Sequence, residues 1–364
     1  MSLSTGIVGL PNVGKSTLFN ALTRSSVAAS NYPFCTIEPN VAIVEVPDSR
    51  LRRLEELMVP AECISTSIQI TDIAGLVRGA SKGEGRGNQF LADVRNADAL
   101  LHVVRCFDDE SVSHVDTTVD PVRDADTVLA ELILADLEVV ERNLPTLDKV
   151  VRSDPRSLRK MELAALQRAH AALAEGVAIR DGKLSAEQLS ALRGYAFLTE
   201  KPMMIIANVA ETDAARGGAL VDALRRRHPE LQVIVVAAQI EAEISQLDAE
   251  EAEAFLEDLG LDQSGVDRLV RGAYELLDLI TFYTLANDKL QAWQLPRGTT
   301  GPSAAGGIHS DMETGFIRAE VATASDLEAA DGQISTLRTS GRLRAEGRDY
   351  AINDGDVVTF LFKS

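Results

Sequence analysis

The chain has 364 residues, 45% of them hydrophobic and 25% charged, with a formal net charge of −19 at pH 7. That length predicts two or three domains with room for a sizeable core, and the charge excludes non-specific nucleic-acid binding by the surface as a whole. No apolar run approaches the roughly 18 residues of a membrane span, and the N-terminal residues lack the basic and long apolar regions of a secretory signal.

Thr5–Val8 reads as a strand, and Gly9-Leu10-Pro11-Asn12-Val13-Gly14-Lys15-Ser16 joins it to a helical run, Thr17–Leu22. A glycine-rich loop between strand and helix is the setting of a phosphate-binding P-loop. Its glycines let successive N–H groups turn toward phosphate oxygens, and the helix N-terminus adds partial positive charge. Lys15 suits the β- and γ-phosphates, and the Ser16 hydroxyl suits Mg²⁺. Asn31–Pro39 precedes a second strand, Ala42–Val46. A switch loop carrying a threonine ligand for Mg²⁺ belongs there, with Thr36 the candidate; a loop held in place by Pro33 and Pro39 is compatible with that. Ile68–Asp72 is the third strand, and Asp72-Ile73-Ala74-Gly75 ends it. A carboxylate there can reach Mg²⁺ through a water, and the Gly75 N–H can meet a γ-phosphate. Leu76 stands where many P-loop proteins of this class carry a water-orienting glutamine, so slow turnover is expected. Gly79–Gly87 reads as a second switch or as a plain mobile loop.

Ala99–Cys106, Met203–Asn208 and Val233–Ala237 are near-continuous apolar runs. Such runs mark parallel strands covered on both faces, and with the earlier elements they predict a doubly wound, mainly parallel α/β sheet. His114, in the loop after Ala99–Cys106, is a candidate for positioning the attacking water; a surface histidine is the alternative. From Val128 to about Phe197 the strand signal stops. Val128, Leu129, Leu132, Ile133, Val140 and Leu144 recur at helical spacing. Asn143–Pro155 reads as a connection, and Leu158–Ala174 as a second helix. An antiparallel helical arm inserted at about 125–198 is therefore expected, with two helices lying flat on the sheet as the alternative.

Asn208-Val209-Ala210-Glu211 stands where a guanine-specific site has Asn-Lys-x-Asp. The lysine that lies along the base is missing, and the carboxylate is one methylene longer. Charge-assisted hydrogen bonds contribute about 1.5–3 kcal/mol each, so misplacing that fork erodes guanine preference. Adenine does not need it and can be framed by Asn208 and the Val209 backbone. Ala237-Ala238-Gln239 likewise departs from the Ser-Ala-Lys that supports guanine.

From about Thr281 the texture changes: a Gly/Pro-rich segment at Pro296–Gly307, then Phe316–Val321, a helix-like Ala324–Ala330, and an apolar ending turned at Asp354-Gly355. A small mixed α+β domain over 281–364 is expected, after a nucleotide-binding domain over 1–280. Four basic clusters stand out: Arg50, Arg52 and Arg53; Arg152, Arg156, Arg159 and Lys160; Arg225–Arg227; and Arg338, Arg342, Arg344 and Arg348. Each reads as a solvated face or as an RNA or ribosome contact. Cys35, Cys63 and Cys106 lack CxxC spacing, which predicts reduced thiols in a cytoplasmic protein.

Taken together, the runs Asn12–Thr23, Asn31–Asn40, Asp72–Leu91, His102–Phe107 and Ala304–Glu320 resemble the YchF/Obg-like ATPase family of P-loop proteins over nearly the whole chain. The resemblance implies an Obg-type G domain, an inserted helical coiled coil and a C-terminal TGS domain of β-grasp form. It implies that ATP, in preference to GTP, is bound and hydrolysed with Mg²⁺. Asn12, Val13, Gly14, Lys15, Ser16 and Thr17 would hold the phosphates, Ser16 and Thr36 the metal, and Val209 the base. It also implies a ribosomal partner, whether the large subunit or the whole particle, through RNA and protein. Neither DNA nor a membrane is expected as a partner. An Obg-type GTPase and a non-enzymatic, nucleotide-stabilised ribosome-binding module are the competing readings.

Overall fold

The computed structural model describes residues 3–24, 40–73, 86–114, 116, 118–154 and 156–363. In chain order come β1 (Ser4–Val8), α1 (Lys15–Arg24), β2 (Val41–Glu45), α2 (Ser49–Met58), β3 (Glu62–Ile64), β4 (Ser67–Asp72) and α3 (Arg86–Asn96). Then follow β5 (Ala99–Cys106), α4 (Pro121–Ser153), α5 (Lys160–Ala174), α6 (Ala186–Leu192), β6 (Met203–Val209), α7 (Gly218–Arg227), β7 (Val233–Val236) and α8 (Ala238–Ile244). The rest are α9 (Ala249–Asp258), α10 (Gly265–Leu276), β8 (Leu279–Ala286), β9 (Lys289–Pro296), α11 (Gly301–Ile308), α12 (Ser310–Thr314) and β10 (Phe316–Thr323). Last come α13 (Ala324–Ala329), α14 (Ile334–Thr339), β11 (Arg344–Glu346) and β12 (Asp356–Phe362). They form two compact units, Met1–Val44 with Gln69–Leu269, and Glu45–Ile68 with Val270–Ser364.

The first unit is built on a six-stranded sheet of order β2-β4-β1-β5-β6-β7. β1 pairs in parallel with β4 and β5, and β5–β6 and β6–β7 are parallel too. Every residue of β5 and β6 is buried, which is why their sequences lack alternation. Val104, Ile205, Ala207 and Val235 pack under α7 residues Val221 and Leu224 on one face. The chain crosses from β1 to either side of it, and open α/β sheets bind ligands at the carboxyl ends of strands around such a reversal.

α4 starts where the Asp120 carboxylate accepts from the Arg123 N–H at 3.1 Å, with Pro121 next. Its early residue Ala125 joins the sheet core. Farther on, Ile133, Val140 and Leu147 recur every seven residues and pack against Ala165, Leu166, Ala169 and Leu173 of α5. The expected connection at 143–155 is too long: α4 runs through Pro145 to Ser153. Pro145 removes one helical hydrogen bond, but Leu144, Leu147 and Val151 continue the seam with α5 and carry the helix past it. The insertion closes where buried Asp136 accepts from the N–H groups of Leu198 (3.0 Å) and Thr199 (2.7 Å) and from the Thr199 hydroxyl (2.7 Å).

The second unit has a six-stranded sheet, β11-β10-β12-β8-β9-β3. β8 and β9 form a hairpin whose turn residues Asn287 and Asp288 have φ of 54° and 61°, as a two-residue primed turn requires. The first and last long strands, β8 and β12, lie side by side in parallel, with β10 antiparallel to β12. This is the β-grasp arrangement. Its helix is α11, which occupies the stretch read from sequence only as Gly/Pro-rich; Ala304 and Ala305 pack against Ile280, Phe282, Phe316 and Phe360. The unit begins near Val270, ahead of the change of texture at Thr281, and takes in residues 45–68. β3 pairs with β9, and Leu51 and Leu54 of α2 share a core with Tyr283, Leu290, Leu327 and Leu337.

Candidate functional site

The loop after β1 is shaped by its small residues. A Cβ on Gly9 (φ 150°) would lie 2.5 Å from the Val103 carbonyl oxygen, and one on Gly14 (φ 98°) 2.1 Å from Asn208 Nδ2. Asn12 is itself left-handed at φ 62°. Lys15 opens α1, and its Nζ donates to the carbonyls of Gly9 (3.0 Å) and Leu10 (2.7 Å) across the loop. Burial lowers its pKa to about 8, against the opposing charge of Asp72. An anionic phosphate beside this amine favours the ammonium form.

A cavity of about 570 Å³ runs from this loop, Asn12 and Gly14–Thr17, to Asn208–Glu211 and Ala238–Ile240, with Phe107–Asp109 and Val112 on its wall. The wall is fixed by Arg105, which sequence reasoning passed over. Its buried guanidinium donates to the carbonyls of Phe107 (3.1 Å), Val112 (2.9 Å) and Asp109 (3.0 Å) and lies 4.6 Å from the Phe107 ring centre. One buried cation thus folds the loop back on itself. Asn12 joins the same loop to the phosphate end, donating to the Ser113 carbonyl at 3.2 Å.

At the base end the structure redistributes the expected roles. Asn208 lines the cavity, but its amide is engaged elsewhere: Nδ2 donates to the Val13 carbonyl at 2.9 Å, and Oδ1 accepts from the Ala238 N–H at 3.0 Å. It ties the P-loop to the start of α8, and Nδ2 keeps a second N–H on the cavity side of this brace. The Val209 side chain is buried in the sheet core, which leaves its main chain for the cavity. Glu211 is exposed at the rim, and Gln239 Nε2 donates to Glu243 Oε1 at 3.2 Å.

Asp72 ends β4 opposite Ile7 of β1. Its Oδ1 is buried with no hydrogen-bond partner among the described residues, and burial raises its pKa against the pull of Lys15. An orphaned carboxylate oxygen near the P-loop, with the Ser16 hydroxyl exposed at the cavity, fits a hard divalent cation. Thr36 and Gly75 lie outside the described residues.

His114 does not line this cavity. Its ring is buried: Nε2 lies 2.8 Å from Asp124 Oδ2, and Nδ1 accepts from the Asp116 N–H at 3.0 Å. Asp124 also accepts from Arg123 at 2.9 Å. Both ring nitrogens are therefore occupied. The histidine fastens the wall loop to the first turn of α4, a link visible only once that helix is placed.

Two family models match the chain. One, described as a 50S ribosome-binding GTPase, covers residues 4–135; the other, a YchF-GTPase C-terminal family described as a protein of unknown function, covers 279–363. A relative from Bacillus subtilis, named ribosome-binding ATPase YchF, is 44% identical over all of both chains. One of the same name from Escherichia coli is 45% identical over 100% of this chain and 99% of its own. Among solved structures, the Schizosaccharomyces pombe YchF GTPase superposes with a TM-score of 0.89 at 34% identity, covering 99% of this chain and 98% of its own. A GTP-binding protein from Pyrococcus horikoshii, with a TM-score of 0.63 at 21% identity, covers 99% of this chain and all of its own and shares the fold.

Proposed function

This chain belongs to the YchF family and is a ribosome-binding P-loop ATPase, and we propose that it works as a slow, Mg²⁺-dependent switch whose bound triphosphate sets its affinity for ribosomes. The observation that carries this reading is the cavity itself: loop amides and Lys15 at one end, and at the other Val209 and Glu211 in place of a guanine-reading lysine and aspartate. The phosphates lie across Asn12–Thr17 with their charge against Lys15. Ser16, Thr36 and Asp72 would hold Mg²⁺, which when bound would neutralise phosphate charge. The Gly75 N–H would meet the γ-phosphate. Gln239 donates to Glu243, which leaves its carbonyl oxygen to accept from the 6-amino group of adenine. The protein acts in the cytoplasm, where its ribosomal partner is; among its described residues no helix is long and apolar enough to cross a membrane.

Competition of unlabelled ATP and GTP against a fluorescent nucleotide, with and without Mg²⁺, tests the substrate. ATP is expected to displace it at lower concentration; a clear GTP preference would overturn the base-site reading. Phosphate release by wild type and Lys15→Ala, with and without ribosomes, tests the enzyme: equal background rates throughout would leave a non-catalytic binding module. For His114 to orient the attacking water, its bond to Asp124 must open. Lost single-turnover hydrolysis in His114→Ala with ATP binding intact would place it in that step. Unchanged hydrolysis would confine it to fastening the loop.

A further inference from the structure

The basic clusters are not equivalent once their partners are known. Arg50 and Arg53 pair with Asp354 and Glu328, Arg225 and Arg227 with Asp222 and Asp126, and Arg338, Arg342 and Arg344 with Glu320, Asp326 and Glu346. These three groups are largely neutralised by their own carboxylates, with a single arginine in each, Arg52, Arg226 and Arg348, lacking an acidic partner among the described residues. The fourth, where α4 passes into α5, is different. From Asp148 to Glu162 the sequence holds five cations, Lys149, Arg152, Arg156, Arg159 and Lys160, against the carboxylates of Asp148, Asp154 and Glu162, a local excess of two positive charges. Arg152 and Arg159 pair with the flanking Asp148 and Glu162 at 2.9 and 2.8 Å. Lys149, Arg156 and Lys160 are exposed and have no side-chain partner among the described residues.

A second observation falls at the same place. Leu158 is 98% exposed, with Met161 and Val150 exposed beside it in sequence. From Asp148 to Ala164 no described residue is buried, whereas Leu147, Ala165 and Leu166 just below are buried in the α4–α5 seam. The end of the helical pair thus presents a fully solvated leucine among unneutralised cations, on a support held by its own core. Folding of the chain gains nothing from either feature.

A chain of net charge −19 is repelled by a phosphate-dense surface, so its approach to a ribosome must lead with an unneutralised basic patch. We propose that the α4–α5 connection is the surface that docks on ribosomal RNA, Lys149, Arg156 and Lys160 meeting phosphates and Leu158 packing on a base or ribose. The inference rests on the ribosome-binding reading and adds the surface and the class of macromolecule it touches. RNA is favoured over a ribosomal protein because bare cations suit phosphates, and ribosomal proteins themselves are mostly basic.

The test is co-sedimentation of the full chain with purified ribosomes across a range of KCl concentrations. The triple variant Lys149→Ala, Arg156→Ala and Lys160→Ala is expected to bind at least tenfold more weakly. Its slope of log affinity against log salt should fall by about 2, at roughly 0.7–0.9 per lost phosphate contact. Leu158→Ala should weaken binding several-fold with the slope unchanged. Basal ATP hydrolysis and ATP affinity should match wild type in both, which also reports that they fold. A photo-cross-linker replacing Leu158 should attach to RNA. Wild-type affinity and slope in the triple variant, or cross-links to ribosomal protein alone, would overturn the docking surface while leaving ribosome binding intact. Failure of the wild type itself to sediment would overturn both.

Discussion

Asn208 shows how a residue can be identified by type while one of its tasks stays hidden. The motif Asn208-Val209-Ala210-Glu211 is local, so its place at the end of a buried strand was legible, and so was the P-loop, whose spacing alone fixes the turn. What the amide touches was not legible, because Val13 and Ala238 come from distant parts of the chain. Arg105 was hidden for a related reason: inside the apolar run His102–Phe107 it reads as one more strand residue, and its three acceptor carbonyls belong to a loop without periodicity. Since Asn208 braces the phosphate loop, Asn208→Ala should weaken ATP, ADP and GTP by the same factor. Leaving a buried carbonyl and N–H unpaired costs about 1–3 kcal/mol, or roughly 5- to 150-fold if all of it falls on binding. Calorimetric titration of the three nucleotides reads this directly. A loss shared by ATP and ADP that spares GTP would assign Asn208 to base recognition.

At the scale of elements, the six strands of the first sheet were readable within one or two residues, because β1 and β5–β7 are continuous buried runs and β2 and β4 alternate buried with less buried residues at the strand period. β3 was not, being three residues of mixed polarity that become a strand only by pairing with β9. The passage of α4 through Pro145 was missed because local propensity stops a helix where the seam with α5 continues it. The same complete burial of β5 carries a pH consequence. His102 is buried within it, and desolvation, with positive charge from His228, Lys15 and Arg180 nearby, depresses its pKa from 6.5 to about 3. The folded state therefore keeps this ring neutral where the unfolded chain protonates it. Its contribution is fully present above pH 6.5 and is lost progressively as pH falls toward 3. About 1.4 kcal/mol is lost by one unit below the unfolded value. Urea unfolding at pH 7.5 and 5.5 should show that decrement in wild type and little of it in His102→Gln. Equal decrements in the two proteins would exclude His102 as the source.

At the scale of the whole molecule, the second unit is not simply what remains at the C-terminus. The chain leaves the first unit after Val44, contributes 45–68 to the second, and returns at Gln69. This excursion is integral. The Tyr283 hydroxyl donates to the Asp48 carboxylate, and Arg50 Nη1 meets Asp354 Oδ2 at 2.7 Å, while Asp354 Oδ1 accepts from the Thr281 N–H at 2.9 Å. Leu51 and Leu54 cover Tyr283, Leu290, Leu327 and Leu337, which would otherwise face water. Texture along the sequence could not reveal this, since a composition shift marks where a segment differs from its neighbours and not where it packs. Removing a buried leucine typically costs about 2–5 kcal/mol, and domains of this size are stable by only about 5–15 kcal/mol. Residues 270–364 expressed alone should consequently unfold at a much lower urea midpoint than the same residues joined to 45–68 through a flexible linker, and Leu54→Ala in the joined protein should fall between them. Tyrosine and tryptophan fluorescence, with Trp293 inside the unit, follows the transition. Coincident midpoints for the two fragments would mean that the β-grasp sheet stands without the excursion, and that 45–68 is a passenger on it.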